Sequence, residues 1–449
     1  MFRSINQTWS RDAVGYRQGE LEEGDGVATM VATTVGGPAL IVGALLYTND
    51  GLGIAQILLI APIAAVLGGV IVGGSARMAA STGADGAWLS HPSLGRVGSW
   101  FMSWLRLAMI ALWAAVGLRL VGEWGSTAMS AGGFSVTSPL VAMAVVAGLG
   151  VLLTYLGLVT TIKVVIRRPI FWLSVILITV LGWRLASMGG VSLTGVSGPF
   201  WSGVQRAVEM SAVFVPFVQP VARRLHNDEE AVGAFGVGYT IPVVLVLLAG
   251  GVLALRMGEF PTDLTHIAAG TTGVILAIGW VVVAESDQVF SSLVAAGTEA
   301  VGIVPVVSPA VVGTLSTAGV VALAFLVSDP PLAWASLATA LVFPAMVIAV
   351  ADFYLVKGRY YAEAETYGAA AGQSAFNLVG ICMWILAVFF GQMLNPVGPS
   401  AYIDFLPSFS TSADLPWRLV MALVGGIGYV VLSRWQARRQ TSVFELRGV

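Results

Sequence analysis

The chain has 449 residues, of which 57% are hydrophobic and only 10% charged, and its formal net charge is −2. A soluble domain carries about a quarter charged residues, so this composition excludes one and places the chain among membrane proteins. The single cysteine, Cys382, excludes an intramolecular disulfide.

Residues 1–25 are polar and end in GELEEGD; they lack the apolar core of a signal peptide and are read as a cytoplasmic N-terminal tail. Twelve apolar runs long enough to cross a bilayer follow, at about 26–48, 53–75, 99–122, 138–158, 169–187, 200–220, 232–255, 268–294, 304–327, 331–355, 371–394 and 415–434. They predict an all-α polytopic membrane protein with 12 transmembrane helices. Spans 1–10 (residues 26–360) form a transport core, 361–436 holds spans 11 and 12, and 437–449 is a C-terminal tail.

Span 1 contains Gly36, Gly37 and Pro38 at its centre. Pro38 has no backbone N–H and glycine loses the most entropy in a helix, so the span is expected to break there. In hydrocarbon a break survives only beside protein or a water-filled cavity, which makes it a pointer to a binding site. Span 6 carries Arg206, Glu209, Pro216 and Pro220. Spans 1 and 6 open two successive five-helix sets, so corresponding interruptions there predict a five-plus-five inverted repeat with discontinuous helices 1 and 6. Prolines that merely kink a continuous span 6 are the competing reading.

Sixteen of the 22 lysines and arginines fall in the tails and the even-to-odd loops, and the other six within or at the ends of spans. The positive-inside rule puts both termini in the cytoplasm, as an even span count also requires.

Three charges lie deep in spans, where each needs a partner or a cavity. Glu285 in span 8 is followed by Ser286, Asp287 and Gln288, the densest polar run in any span. A carboxylate there binds a cation, carries a proton, or forms an ion pair that only fixes helix packing. Arg106 in span 3 is seven residues before Trp113, about 10 Å along one helix face. On these boundaries it lies at a depth where it can pair with Glu285 or Asp287 and act as an inner gate or as the protonation switch. Glu209 in span 6 either anchors substrate or pairs with Arg206 three residues earlier.

Several stretches resemble the nucleobase:cation symporter family of purine/cytosine permeases and hydantoin transporters. STGADGAWLSHPSLGRVGSW (81–100) is similar to that family's loop between helices 2 and 3, with Thr82-Gly83 ahead of a Gly95–Trp100 element. VFPAMVIAVADFYLVKGRYY (342–361) is similar to the end of helix 10, with Ala351-Asp352; RRLHND (223–228) and Asp287 match more loosely. The resemblance implies alternating access and makes Trp113 the residue that stacks on a heterocycle. It places the family's sodium site on Val281, Ala284 and Glu285, where a carboxylate in place of a hydroxyl favours proton coupling over sodium. The polar residue one turn before the tryptophan is here Ile110, and the helix-6 position is Glu209 or Ser211.

The expectation is an inner-membrane symporter that imports a small nitrogen heterocycle and is not an enzyme. Its binding residues are Thr33, Thr34, Gly36, Gly37, Trp113, Glu209, Ser211 and Gln288, with Glu285, Asp287, Val281 and Ala284 for coupling and Arg106 as gate. No cofactor, resident metal or nucleic acid is expected; the partners are a small molecule, a co-transported proton or sodium and the lipid bilayer, with the chain a monomer. An amino-acid or polyamine transporter of the same fold is the rival. Scattered histidines (His91, His226, His266) and the absence of metal or nucleophile motifs count against a membrane enzyme, and the absence of a repeated filter segment counts against a channel.

Overall fold

Span 1 breaks where its sequence demands. In the computed structural model, which describes residues 19–84, 86–133, 138–187, 198–258, 278–303, 309–326, 331–361, 366, 375–407, 409 and 414–447, α1 (Glu23–Val35) and α2 (Gly37–Thr48) meet at a 44° bend. Gly36 between them is extended (φ −67°, ψ −176°). Pro38 then falls in the first turn of α2, where its missing N–H has no intrahelical partner to lose.

The following helices are α3 (Ile54–Thr82), α4 (Gly86–Ala131), α5 (Pro139–Tyr155), α6 (Leu158–Ser187), α7 (Phe200–Glu209), α8 (Ser211–Ala222) and α9 (Asp228–Met257). Then come α10 (Glu285–Ile303), led by a π-helical turn Trp280–Ala284, α11 (Pro309–Leu326), α12 (Pro331–Ala351), α13 (Leu378–Leu394), the short α14 (Ser400–Phe405) and α15 (Trp417–Arg447). Each apolar run thus contains a helix or helix pair among the described residues. Six helices and the bent pair are individually long and apolar enough to cross a membrane. Among the described residues the one non-helical pairing is a bridge between Leu21 and Leu225.

Several boundaries differ from the sequence reading. Glu23 to Asp25 belong to α1 and not to a tail, and residues 437–447 continue α15 as helix. Span 8 runs on to Ile303; residues 268–277, expected at its start, lie outside the described residues. Span 6 is jointed, not broken as span 1 is. Met210 keeps helical angles (φ −54°, ψ −29°), and the joint shows as a tightened turn, Val213 N donating to Met210 O at 3.0 Å.

The two resembling motifs act as packing devices. Gly95 (φ 76°) kinks α4 because the chain entering α13 crosses there: a Cβ on Gly95 would stand 2.5 Å from Asn377 N. That crossing satisfies the freed backbone, with Asn377 N donating to Leu94 O and Val97 N to Ala375 O. Asp352, fully buried in the π turn after α12, accepts hydrogen bonds of 2.8 Å from the Tyr361 and Tyr429 hydroxyls and so ties span 10 to span 12.

Charges close the bundle at both ends. At the end rich in arginine, Arg77 meets Asp228 at 2.9 Å, Arg167 meets Glu22 and buried Asp25 at 2.9 Å, and Arg224 meets Glu20. At the opposite end Arg206 grips Asp50 through two 2.8 Å bonds. Between them, large apolar side chains on α3, α6 and α15 such as Leu59, Trp172, Trp183 and Ile427 face outward, as a lipid-facing surface requires.

Candidate functional site

The polar run of span 8 lies against the break in span 1. A Cβ on Gly36 would lie 3.1 Å from Gln288 Oε1, and one on Gly37 would lie 3.1 Å from Glu285 Oε1, so the two glycines let these side chains approach the backbone closely. The Thr33 hydroxyl is placed to donate to Asp287 Oδ2 (3.1 Å) or back to Thr29 O (2.9 Å). Thr34 bonds only its own helix, at Met30 O.

Glu285 is almost fully buried. Its carboxylate also lies close to Gly117 of α4, where a Cβ would be 3.3 Å from Oε2. Among the described residues its Oε1 has no hydrogen-bond partner, nor have Ser286 Oγ, Asp287 Oδ1 and Gln288 Oε1. Four adjacent buried residues with unsatisfied polar atoms mark a site built to meet something else.

Trp113 stands beside this cluster. Its indole Nε1–H donates to Thr339 Oγ1 at 2.8 Å, and Thr339 in turn donates to Ala335 O, which fixes the ring from span 10. One space beside it, about 10 Å³, is lined by Thr33, Ile110, Phe214, Phe217, Gln288 and Ser291. A second, about 20 Å³, is lined by Met210, Glu209, Arg418, Ser336 and Thr339. Each has room for about one water, so a ring enters only when the helices part. A crevice of about 330 Å³ between α4, α10 and α11 shares Ile110 and Ser292 with the first but has a mainly apolar surface.

Two sequence expectations are corrected. Arg106 does not pair with Glu285 or Asp287. Its Nη1 donates to Gly86 O (2.9 Å) and lies 3.4 Å from Glu299 Oε1, while Nη2 donates to Ser90 Oγ (2.6 Å). Span 8 continues to Ile303, so the carboxylate at Arg106's depth is Glu299, fourteen residues or about 21 Å beyond Glu285. Glu209 does not pair with Arg206: both its oxygens take the Arg418 guanidinium, at 2.8 and 2.9 Å, and Arg206 is held by Asp50. Ser211 lies against α3, where a Cβ on Gly68 would stand 3.1 Å from its own. Val281 neighbours Gly125 of α4, and with Ala284 it lies in a π turn, which winds more widely than an α-helix.

Phe214, Phe217, Ser291 and Thr339 were not singled out from the sequence. The two phenylalanines follow Glu209 at five and eight residues, a signal lost in a span that is apolar throughout.

The Arg106–Glu299 pair makes a direct test. Removing either partner leaves a buried charge and is expected to cost roughly 3–5 kcal/mol, whereas an apolar double substitution costs much less than the sum. Arg106 and Glu285 should instead add within about 0.5 kcal/mol in a double-mutant cycle on unfolding. Strong coupling to Glu285 and none to Glu299 would contradict this geometry.

No family model matches the chain, and no curated protein matches it in sequence. Solved structures do. Mhp1, a nucleobase-cation-symport-1 family transporter in a closed conformation with bromovinylhydantoin bound, matches over 94% of both chains at TM-score 0.69 and 14% identity. MhsT in complex with L-phenylalanine matches over 93% of this chain and 99% of its own, at TM-score 0.54 and 15% identity. A manganese transporter of Eremococcus coleocola matches over 93% and 94%, at TM-score 0.52 and 11% identity. The chain therefore has the helical fold of multi-pass membrane transporters.

Proposed function

We propose that this protein is a secondary transporter that takes up a small nitrogen heterocycle together with a cation by alternating access. Twelve crossings, in two inverted sets of five plus spans 11 and 12, put both termini in the cytoplasm of a bacterial-type inner membrane. The ring stacks on Trp113, whose aromatic face binds flat heterocycles with little demand on their charge. Gln288 and the half-helix ends at Gly36 and Gly37 meet its N–H and C=O groups. Glu285 carries the coupled proton, with a sodium ion in its place as the alternative. Among the described residues no arginine or lysine forms a salt bridge with this buried carboxylate, so it requires a positive counterpart, and both ions supply one.

The observation that carries this reading is the meeting of an oriented tryptophan, a helix break and four buried residues that each hold an unsatisfied polar atom. The amino-acid or polyamine reading drew on Glu209, and Arg418 already neutralises that carboxylate. The test is thermal stability of detergent-purified protein with nucleobases, hydantoins, amino acids and polyamines, each with and without sodium. A ligand at 100 times its Kd stabilises by about 2.7 kcal/mol. A flat heterocycle should raise the unfolding temperature of wild type and not of Trp113→Ala or Gln288→Ala. Stabilisation by an amine alone, retained in Trp113→Ala, overturns the substrate class.

A further inference from the structure

Span 12 is bound to the outer half of span 6 by an unusually complete set of polar contacts. Ser202, Gln205 and Glu209 lie along one stripe of α7, three and four residues apart. Every one of them meets residues 414–419. The Asp414 carboxylate accepts from Trp201 N (3.0 Å) and Ser202 N (3.1 Å), in the first turn of α7. Gln205 Oε1 accepts from Arg418 N (2.8 Å) and Leu419 N (3.4 Å), in the first turn of α15. The segment leading into α15 thus caps α7, and α7 caps α15, a job usually done within one segment. At the inner end of the stripe the Arg418 guanidinium forks onto Glu209, and its Nη1 also donates to Asn395 O at 2.8 Å.

The position of this pair gives it a role. Glu209 and Arg418 line the space that borders Trp113 on the side of Thr339 and Ser336. On its other flank α7 is tied by Arg206 to Asp50, beyond the end of α2, while α15 packs on α12 and α13. Exposing the Trp113 ring at this end therefore means parting α7 from α15.

We propose that the Glu209–Arg418 pair, with the reciprocal caps around it, is the latch that closes this end of the transport pathway, so that span 12 is part of the gate and not an accessory to the ten-helix core. This rests on the transporter reading above, but its test needs no substrate.

The lone cysteine, Cys382, is replaced by serine, and a reporter cysteine is placed at Ser336→Cys on the latch side or at Ser291→Cys on the other side of Trp113. In purified protein, Glu209→Gln and Arg418→Gln should each raise the labelling rate at the latch-side reporter by about tenfold or more, without raising it at position 291. The reversed pair, Glu209→Arg with Arg418→Glu, should bring the rate back toward wild type. Asp414→Asn, at the exposed edge, should move labelling in the same direction by less; it also serves if the buried variants do not fold. A rise at both reporters means general loosening and overturns the proposal, as does no rise at position 336. Failure of every heterocycle to bind wild type would remove the transport reading and leave the labelling result intact.

Discussion

Glu285→Gln is expected to retain substrate exchange while losing accumulation driven by a pH gradient. Glutamine keeps the size of the side chain and its fit against Gly37 and Gly117, but it can neither release a proton nor bind a cation by charge. Binding and the helix movements that exchange requires should persist within about threefold, because the lost group interacts with the ion and not the ring. Accumulation in proteoliposomes should fall to the equilibrium level. The measurement is paired: counterflow with equal pH on both sides, then uptake under an imposed gradient. Unchanged accumulation would take Glu285 out of the coupling mechanism. Sodium-driven accumulation in wild type that is lost in the variant would keep Glu285 and exchange the proton for the metal ion.

Gly43→Val or Gly250→Val should lower stability sharply. Helices α2 and α9 touch backbone to backbone there: a Cβ on Gly43 would fall 2.2 Å from Leu247 O, and one on Gly250 would fall 2.2 Å from Leu40 O. Neither carbonyl can rotate aside, so the helices must separate, losing the close small-residue packing that membrane helices rely on. Overpacking a well-filled core costs about 1–3 kcal/mol, and a backbone obstacle lies at the upper end. Gly148 in α5 is the control, since a Cβ there meets nothing within 4 Å. Gly148→Ala should be neutral or stabilise by up to about 1 kcal/mol through helix propensity. Thermal unfolding in detergent decides: if Gly43→Ala and Gly148→Ala unfold at the same temperature, the close approach of α2 and α9 is wrong.

These two expectations draw on different kinds of information. Glu285 stands out in a bare sequence because a carboxylate inside an apolar run conflicts with its surroundings wherever the helix is placed. Gly43 and Gly250 do not stand out among 54 glycines. Their importance arises only when two helices are laid against each other at one crossing point.

The same division runs through the whole protein. The membrane class, the approximate positions of the apolar runs, the break at Gly36 and the polar run from Glu285 to Gln288 were legible along the chain. Each depends on local chemistry: hydrocarbon admits few charges, and proline and paired glycines interrupt a helix in any context. The partners of the buried charges were not legible. Arg106 meets Glu299 because span 8 continues past the boundary its hydropathy suggested. Glu209 meets Arg418 across 209 residues of sequence because α15 lies against one stripe of α7. A buried charge is satisfied by whatever opposite charge the packing of the helices brings to its own depth and face, and that is a property of the tertiary structure alone.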